Sequence, residues 1–269
     1  MVKQPVKKFR KNNSCGKHQT NWLWGPPSVL ETLQVGRWRV YELFVSAEMM
    51  AQHTELLKSK QKEGSELEVV SNAKLEELSQ TADHQGIVAR VSKYPYETME
   101  SLESRLRSRI ETADAGTPLP LVVIVDRVQD AFQFASILRS CEHAGALAVV
   151  IGEYCQAQVT TQVARASMGV VNHIDIVQTV NLVQAASQLK AIGLPLIAFD
   201  SKSEMNLANS LLKSAYALMI GSDAYGLDPA LAELCDRRVR LPVHGKSNTL
   251  PSAVAAGIML YEIRRQQGV

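Results

Sequence analysis

Hydrophobic and polar positions alternate in short blocks along the chain, and the blocks change character near residue 120. Before that point, the pattern predicts strands at 40–46, 67–70 and 86–91, with helices at 47–62 and 72–80 between them. The strand blocks are short and mostly apolar, whereas the helix blocks space their apolar residues three and four positions apart. Together these elements predict a small α/β unit.

The second half of the chain shows a regular alternation of apolar strands and amphipathic helices. It begins with the strand LVVIV at 121–125 and ends with an apolar helix that follows Pro251. Such alternation predicts a mainly parallel sheet with helices on both faces. Parallel sheets bind ligands beyond the carboxyl ends of their strands, so the loops after residues 125, 220 and 241 form the candidate site.

Composition predicts a soluble, globular protein. Of 269 residues, 46% are hydrophobic, which is enough to bury a sizeable core in one or two domains. The apolar runs are shorter than the roughly 20 residues that span a bilayer, and the N-terminus lacks a signal-peptide pattern. Four cysteines without CxxC spacing argue against a zinc site or a disulfide framework and favour a reducing, cytoplasmic compartment.

The net charge of +2 hides an uneven distribution. Residues 1–21 carry basic side chains and no acid, and the first acidic residue is Glu31. A flexible basic arm of this kind gains affinity for nucleic acid by releasing counterions, without reading sequence. A solvated tail explains the charge equally well. The arm residues predicted to contact RNA are Lys7, Lys8, Arg10 and Lys11.

The three candidate loops lack the common nucleotide and hydrolase motifs. None contains GxGxxG or GxxxxGK[ST], and the chain has no HExxH or GxSxG. The dinucleotide, P-loop, metalloprotease and serine-hydrolase interpretations therefore have no support. The third loop also has a purely local interpretation, since Pro251 at the first position of a helix, after a Ser or Thr cap, is a common helix start.

In their order and spacing, the three loops resemble the signature motifs of the SpoU/TrmH branch of the SPOUT RNA 2′-O-methyltransferases. Residues 126–140 read DRVQDAFQFASILRS, similar to D-x-V-x-D-P-x-N-x-G-A-x-x-R-[ST]. Residues 221–227 read GSDAYGL, similar to G-x-E-x-x-G-[LM], and residues 241–255 end in TLPSAVA, similar to S-L-N-V-S-V-A. Some positions differ from the family pattern: Gln133 and Pro251 replace asparagine, Asp223 replaces glutamate, Ala135 replaces glycine and Ala253 replaces serine.

The first half extends the resemblance. WGPPSVLETL at 24–33 and LEELSQTADHQGIVARV at 75–91 resemble the ribosomal-protein-like α/β domain that precedes the catalytic domain in 23S rRNA guanosine 2′-O-methyltransferases. The resemblance covers residues 22–267 and implies a C-terminal trefoil knot in the α/β methyltransferase domain. The implied organisation is a basic arm at 1–21, an RNA substrate-binding domain at 22–93, a linker at 94–118 and the SPOUT methyltransferase domain at 119–269.

The same resemblance implies a cofactor, partners and site residues. S-adenosylmethionine is the cofactor, 23S rRNA is the substrate, and the protein is a homodimer through its knotted domain, with no metal and no membrane. The catalytic positions are Arg139, Gln133 and Asp223, with Arg139 orienting an RNA phosphate because a guanidinium is hard to deprotonate. The cofactor-binding positions are Ile220, Gly221, Gly226, Leu241, Val243, Thr249, Leu250 and Ser252, and the RNA-binding positions outside the arm are His84, Gln85 and Arg139.

Other functions stay open on sequence alone. A relative with the same catalytic core acts on tRNA, and the replaced motif residues are compatible with an RNA-binding protein in which methyl transfer is weakened or lost. An α/β enzyme that uses the same strand-end pocket on a small molecule is less favoured. The sequence does not identify the modified nucleotide.

Overall fold

The computed structural model describes residues 21–112, 118–246 and 250–268, and within these ranges the chain forms two α/β units. The first unit is followed by one further helix, α5 (Met99–Glu111). The elements of the first unit are β1 (Asn21–Trp24), α1 (Pro26–Val35), β2 (Val40–Val45), α2 (Ala47–Gln52), α3 (Thr54–Lys62), β3 (Glu66–Val69), α4 (Asn72–Ser79) and β4 (Ile87–Val91).

The second unit alternates strands and helices to the end of the described chain. Its elements are β5 (Leu121–Val125), α6 (Ala131–His143), β6 (Ala148–Gly152), α7 (Thr161–Ala166), β7 (Asp175–Thr179), α8 (Leu182–Ala191), β8 (Leu196–Phe199), β9 (Tyr216–Ile220), α9 (Pro229–Leu234), β10 (Arg237–Val239) and α10 (Ser252–Gln267). Short 3₁₀ turns lie at Val170–Asn172 and Leu207–Asn209.

The two sheets differ in strand direction. The first has the order β1-β4-β2-β3, in which only β2 and β3 are parallel. The second has the order β10-β8-β9-β5-β6-β7, and all of its neighbouring strands are parallel. The predicted mainly parallel sheet is therefore confirmed. Strands β5, β6 and β9 are buried along their whole length, as expected for a sheet covered on both faces.

Two predictions about the first unit were incomplete. The helix predicted at 47–62 is two helices, because His53 leaves helical geometry at a φ of −125° and separates α2 from α3. Strand β1 was not predicted, since it has only four residues and ends directly before Gly25. It is nevertheless an edge strand that pairs antiparallel with β4.

The stretch predicted as a linker is packed rather than exposed. The hydroxyl of Tyr94 is buried and donates a 2.9 Å hydrogen bond to the carbonyl of Val171. In α5, the apolar face is buried against the second sheet through Met99, Leu102 and Leu106. Periodicity missed this role because the polar face of α5 dominates its composition.

The two units are joined by a buried polar contact and an ion-pair cluster. The side chain of Asn172 donates to the hydroxyl of Thr32 at 3.2 Å, and both residues are buried. Asp175 accepts from Arg37 of the first unit and from Arg105 of α5. Buried apolar side chains from both units form one continuous cluster. The first unit is therefore docked on the second.

Among the described residues, no helix combines the length and the apolar character that a membrane span requires. The trefoil knot stays a prediction, because it depends on the path of the chain through a loop of which residues 247–249 lie outside the described ranges.

Candidate functional site

A cleft of about 550 Å³ lies at the carboxyl edge of the second sheet, beside β8, β9 and β10. Its position agrees with the rule that ligands of parallel sheets bind beyond the strand ends. One wall comes from the loop after β9 and another from the start of α10. The lining includes Phe199, Asp200, Ser201, Lys202, Ile220, Gly221, Asp223, Tyr225, Gly226, Leu227, Arg238, Leu250 and Ser252.

The loop after β9 is a tight turn that requires glycine. Ser222 and Gly226 exchange backbone hydrogen bonds of 3.1 and 2.8 Å, so residues 223–225 form the tip of the turn. A Cβ on Gly221 would lie 2.3 Å from backbone atoms of Gly226 and Leu227, closer than any real contact. Only glycine fits at position 221, because the chain folds back onto it.

Asp223, at the tip of this turn, joins the three motifs. One of its carboxylate oxygens accepts a 2.8 Å hydrogen bond from the side-chain amide of Gln133, in the first motif. The other accepts a 2.6 Å bond from the backbone N–H of Ser252, in the third motif. The hydroxyl of Ser252 is within hydrogen-bonding distance of the same carboxylate oxygen and 2.7 Å from the carbonyl of Gly221. The three motifs therefore meet in one hydrogen-bonded unit.

These contacts also determine the charge state of Asp223. Partial burial on its own raises the pKa of a carboxyl group, but the hydrogen bonds from Ser252 and Gln133 outweigh it and lower the pKa of Asp223 below its usual value. Asp223 is therefore a carboxylate at neutral pH. It accepts hydrogen bonds and has no proton to donate.

Helix α10 begins differently from the local prediction. Pro251 is the residue before the helix rather than its first residue, and it makes no side-chain cap. The first helical N–H, that of Ser252, is instead capped by the carboxylate of Asp223 from another loop. A negative charge at a helix N-terminus is favourable because it faces the positive end of the helix dipole. Thr249, a predicted cofactor-binding residue, lies outside the described residues.

Asp126 ties the first motif to the second. Its backbone N–H donates to the carbonyl of Ile220 at 2.8 Å, and its buried carboxylate accepts from the N–H of Asp228 at 2.8 Å. Burial raises the pKa of Asp126, and the bonds from Asp228 and Arg127 only partly oppose that shift. Its contacts are those of a structural residue that holds the two loops together.

The predicted site residues do not all meet. Of the cofactor-binding predictions, Ile220, Gly221, Gly226, Leu250 and Ser252 line the cleft. Leu241 and Val243 lie in the same loop as Leu250, before α10, and are not among the residues that line the cleft. Gln133 and Asp223 are in contact, as described above. Arg139 is exposed on α6, away from the cleft lining, and makes no hydrogen bond or ion pair within the described part of the chain.

Sequence reasoning missed part of the cleft. Phe199 at the end of β8 and the following loop, with Asp200 and Lys202, form one wall, and Arg238 of β10 lies 3.4 Å from the carboxylate of Asp200. Tyr225 lies in the second motif, which gave no reason to assign it a role. The strand-end rule applied to β8 would have identified the loop. No local signal placed Arg238 beside it.

The predicted RNA-binding residues of the first unit differ in their exposure to solvent. His84 is only 7% exposed, and its Nδ1 accepts a 3.1 Å bond from the N–H of Gly86. This geometry favours a structural role in the turn before β4. Gln85 is exposed, and its side-chain amide donates a hydrogen bond to the carboxylate of Asp83. Its contact with RNA stays a prediction. The arm residues Lys7, Lys8, Arg10 and Lys11 lie outside the described residues.

The fold and the site define an α/β protein with a strand-end ligand cleft, preceded by a docked smaller α/β unit. The chain belongs to the SpoU rRNA methylase family, whose sequence model matches residues 120–261. Residues 22–97 match a second family model, that of the substrate-binding domain of RNA 2′-O ribose methyltransferases. The resemblance drawn from the motifs is thereby confirmed.

Individual relatives agree with this assignment. A TrmH-family tRNA/rRNA methyltransferase of Bacillus subtilis, itself named as putative, is 29% identical over 93% of this chain and 97% of its own length. The fold matches a crystal structure of an AdoMet-bound rRNA methyltransferase from Sinorhizobium meliloti, with a TM-score of 0.73, 23% identity, and coverage of 91% of this chain and 87% of that chain. It also matches the SpoU methyltransferase AviRb of Streptomyces viridochromogenes in complex with AdoMet, with a TM-score of 0.74, 22% identity, and coverage of 92% and 90%.

Within the ranges that the structure describes, no three His, Cys, Asp or Glu side chains are grouped so that they could hold a metal ion.

Proposed function

We propose that this protein is an S-adenosylmethionine-dependent RNA ribose 2′-O-methyltransferase that acts on 23S rRNA in the cytoplasm. The observation that carries the proposal is the unit of Gln133, Asp223 and Ser252 beside the cleft. It joins all three family motifs even though none of its three members is the usual residue type. The family description, which names rRNA, supports the substrate.

The cleft suits S-adenosylmethionine in size and chemistry. Its volume of about 550 Å³ lies within the usual range of small-molecule sites. Phe199, Leu227 and Leu250 offer apolar surface of the kind that a nucleoside base needs, while Asp200, Lys202 and Arg238 offer charges of both signs for an amino-acid group. When bound there, the cofactor supplies a methyl group on a positively charged sulfur.

The reaction needs a ribose hydroxyl held in line with that methyl group, at roughly 3–3.5 Å. The Asp223 carboxylate is fixed by hydrogen bonds from two other motifs, so it fixes the edge of the cleft in turn. We assign the guanidinium of Arg139 the role of binding an RNA phosphate with two parallel hydrogen bonds. Positioning is therefore the main contribution of these side chains.

We further propose that the protein acts as a homodimer through the second unit. Helices α6 and α10 pack together, and each exposes side chains: Phe132 and Arg139 on α6, and Val254, Ile258 and Tyr261 on α10. Three apolar residues on α10 at spacings of four and three lie on the same helix face and are 39–68% exposed. A second copy of the chain would cover these apolar side chains.

Calorimetry with S-adenosylmethionine, followed by transfer of labelled methyl to transcribed 23S rRNA and to total tRNA, tests the proposal. Binding of the cofactor and labelling at ribose 2′-oxygens of 23S rRNA is the expected result. Labelling of tRNA alone would show that the substrate is tRNA rather than 23S rRNA, and no cofactor binding at millimolar concentration would overturn the enzyme assignment.

Arg139→Ala is expected to lose RNA affinity and activity while cofactor binding is unchanged. Sedimentation of a Tyr261→Asp variant tests the dimer, with a shift to monomer expected.

A further inference from the structure

We propose that Tyr225, supported by Arg127, is a stacking surface for an unpaired base of the RNA substrate, beside the cofactor cleft. This inference rests on the proposed function and assigns a substrate-recognition role to two side chains outside the catalytic set. It is carried by the exposure of the tyrosine ring, the conformation of the arginine and the place of both on the sheet edge.

Tyr225 is the last residue at the tip of the turn between Ser222 and Gly226. Its side chain is 72% exposed, yet it also lines the cleft. Its backbone N–H donates a 3.1 Å bond to the hydroxyl of Ser222, so the turn fixes the position from which the ring projects. A large apolar ring held this far into solvent, on a rigid turn, is typical of a contact surface for a partner.

Arg127 lies against this ring in a conformation that its own backbone disfavours. Its φ is +56°, in the left-handed region where an arginine is uncommon. Its guanidinium is 5.9 Å from the centroid of the Tyr225 ring, 3.2 Å from the carboxylate of Asp126 and 3.9 Å from that of Asp228. Strained residues persist where their surroundings hold them, and they cluster at functional sites. Here the strain places a positive charge beside an exposed ring.

An RNA base fits this pair better than a protein partner does. Sequence-tolerant binding of single-stranded RNA uses aromatic stacking together with arginine, and ribose methylation requires an accessible nucleotide next to the cleft. Three carboxylates lie near this pair, and each already accepts hydrogen bonds within the protein. Asp228 accepts from the N–H of Ala230, Asp126 accepts from the N–H of Asp228, and Asp223 accepts from Gln133 and Ser252. These hydrogen bonds reduce the negative charge that the carboxylates present to RNA.

The test is filter binding of transcribed 23S rRNA to the full chain, with and without saturating S-adenosylmethionine. Tyr225→Ala is expected to weaken RNA binding about tenfold, since loss of one stacked base is worth about that factor. Tyr225→Phe keeps the ring and is expected to recover most of the affinity. Tyr154→Ala is the matched control, because Tyr154 is equally exposed at 71% and follows β6 at the same sheet edge, with no cation–ring contact described there.

The outcomes separate this inference from the proposed function. If the unaltered protein methylates RNA but Tyr225→Ala binds RNA normally, or Tyr154→Ala loses as much affinity, the stacking assignment is wrong and the enzyme assignment stands. If the unaltered protein binds neither cofactor nor RNA, the proposed function itself fails. Thermal melting of each variant shows whether it is folded, and an exposed side chain at a turn tip is not expected to change the melting temperature.

Discussion

Exchanging the side-chain lengths of Gln133 and Asp223 tests whether the pair acts as a unit. The amide of Gln133 and the carboxylate of Asp223 are 2.8 Å apart. Gln133→Asn shortens one side by a carbon–carbon bond, about 1.5 Å, which would separate the two groups beyond the usual limit of about 3.2 Å for a hydrogen bond. Asp223→Glu alone makes the pair too long. The double variant restores the summed length, so we expect it to restore the contact.

The expected effect is moderate because the contact is open to solvent. Hydrogen bonds to charged groups contribute about 1.5–3 kcal/mol, but exposure reduces this one to about 1 kcal/mol. A loss of that size in transition-state stabilisation lowers kcat/KM about fivefold. Gln133→Asn should therefore lose about fivefold and Asp223→Glu at least fivefold, because the Asp223 carboxylate also bonds Ser252. The double variant should recover about fivefold in kcat/KM relative to Asp223→Glu. This corresponds to a coupling of about 2 kcal/mol in a double-mutant cycle.

The assay is the initial rate of methyl transfer to 23S rRNA, with melting temperatures measured in parallel. Gln184→Asn is the matched control, because Gln184 is an exposed glutamine at the same position of α8 that Gln133 has in α6. Each is three residues after an N-cap whose side chain accepts its backbone N–H, at 3.0 and 2.7 Å. The control should leave the rate unchanged. A double variant as impaired as the two single variants combined would refute the idea that the lengths compensate.

Three further predictions concern stability. Gly221→Ala should destabilise by about 1–3 kcal/mol or more, because the new Cβ would lie 2.3 Å from backbone, whereas Gly245→Ala, with nothing within 4 Å, should have no effect in the same denaturant titration. Ser252→Ala removes the buried hydroxyl that bonds Gly221, and calorimetric unfolding should show a loss of about 1 kcal/mol together with weaker cofactor binding. Asp175→Asn should cost about 1–2 kcal/mol at pH 7, a value discounted for partial exposure. Burial opposes ionisation of Asp175, but its two arginine partners lower its pKa overall, so this stability is present above the unfolded carboxyl pKa and is lost as the pH falls through the folded value. Urea titrations of both proteins should converge in acid, and a constant difference between pH 7 and pH 3 would contradict the assignment.

The contact between Gln133 and Asp223 also bears on the replaced motif residues. Relative to the family pattern, glutamine is one methylene longer than asparagine and aspartate is one shorter than glutamate. Considered one at a time, each replacement argues against an intact site. In the structure the longer amide meets the shorter carboxylate, so the two replacements have opposite effects on a single distance. They are better interpreted as a matched change than as decay.

The sequence by itself determined the succession of strands and helices, the parallel sheet, the three motif loops and the family. These features depend on hydrophobic period and on short runs of residues, which are local properties of the chain. It did not reveal the packed role of Tyr94 and α5, whose buried positions are few among polar neighbours. It also missed β1, which is too short to show a period.

Only the tertiary structure decided which motif residues meet. Gln133 and Asp223 are 90 positions apart, and no local pattern reports that distance. The cap of α10 was predicted from its neighbours in sequence, but the carboxylate of Asp223 supplies it across 29 positions. Arg139, in contrast, carries the clearest motif signal and is not at the cleft. Periodicity specifies which face of each element is buried, whereas the path of the chain between elements specifies which polar side chains come together.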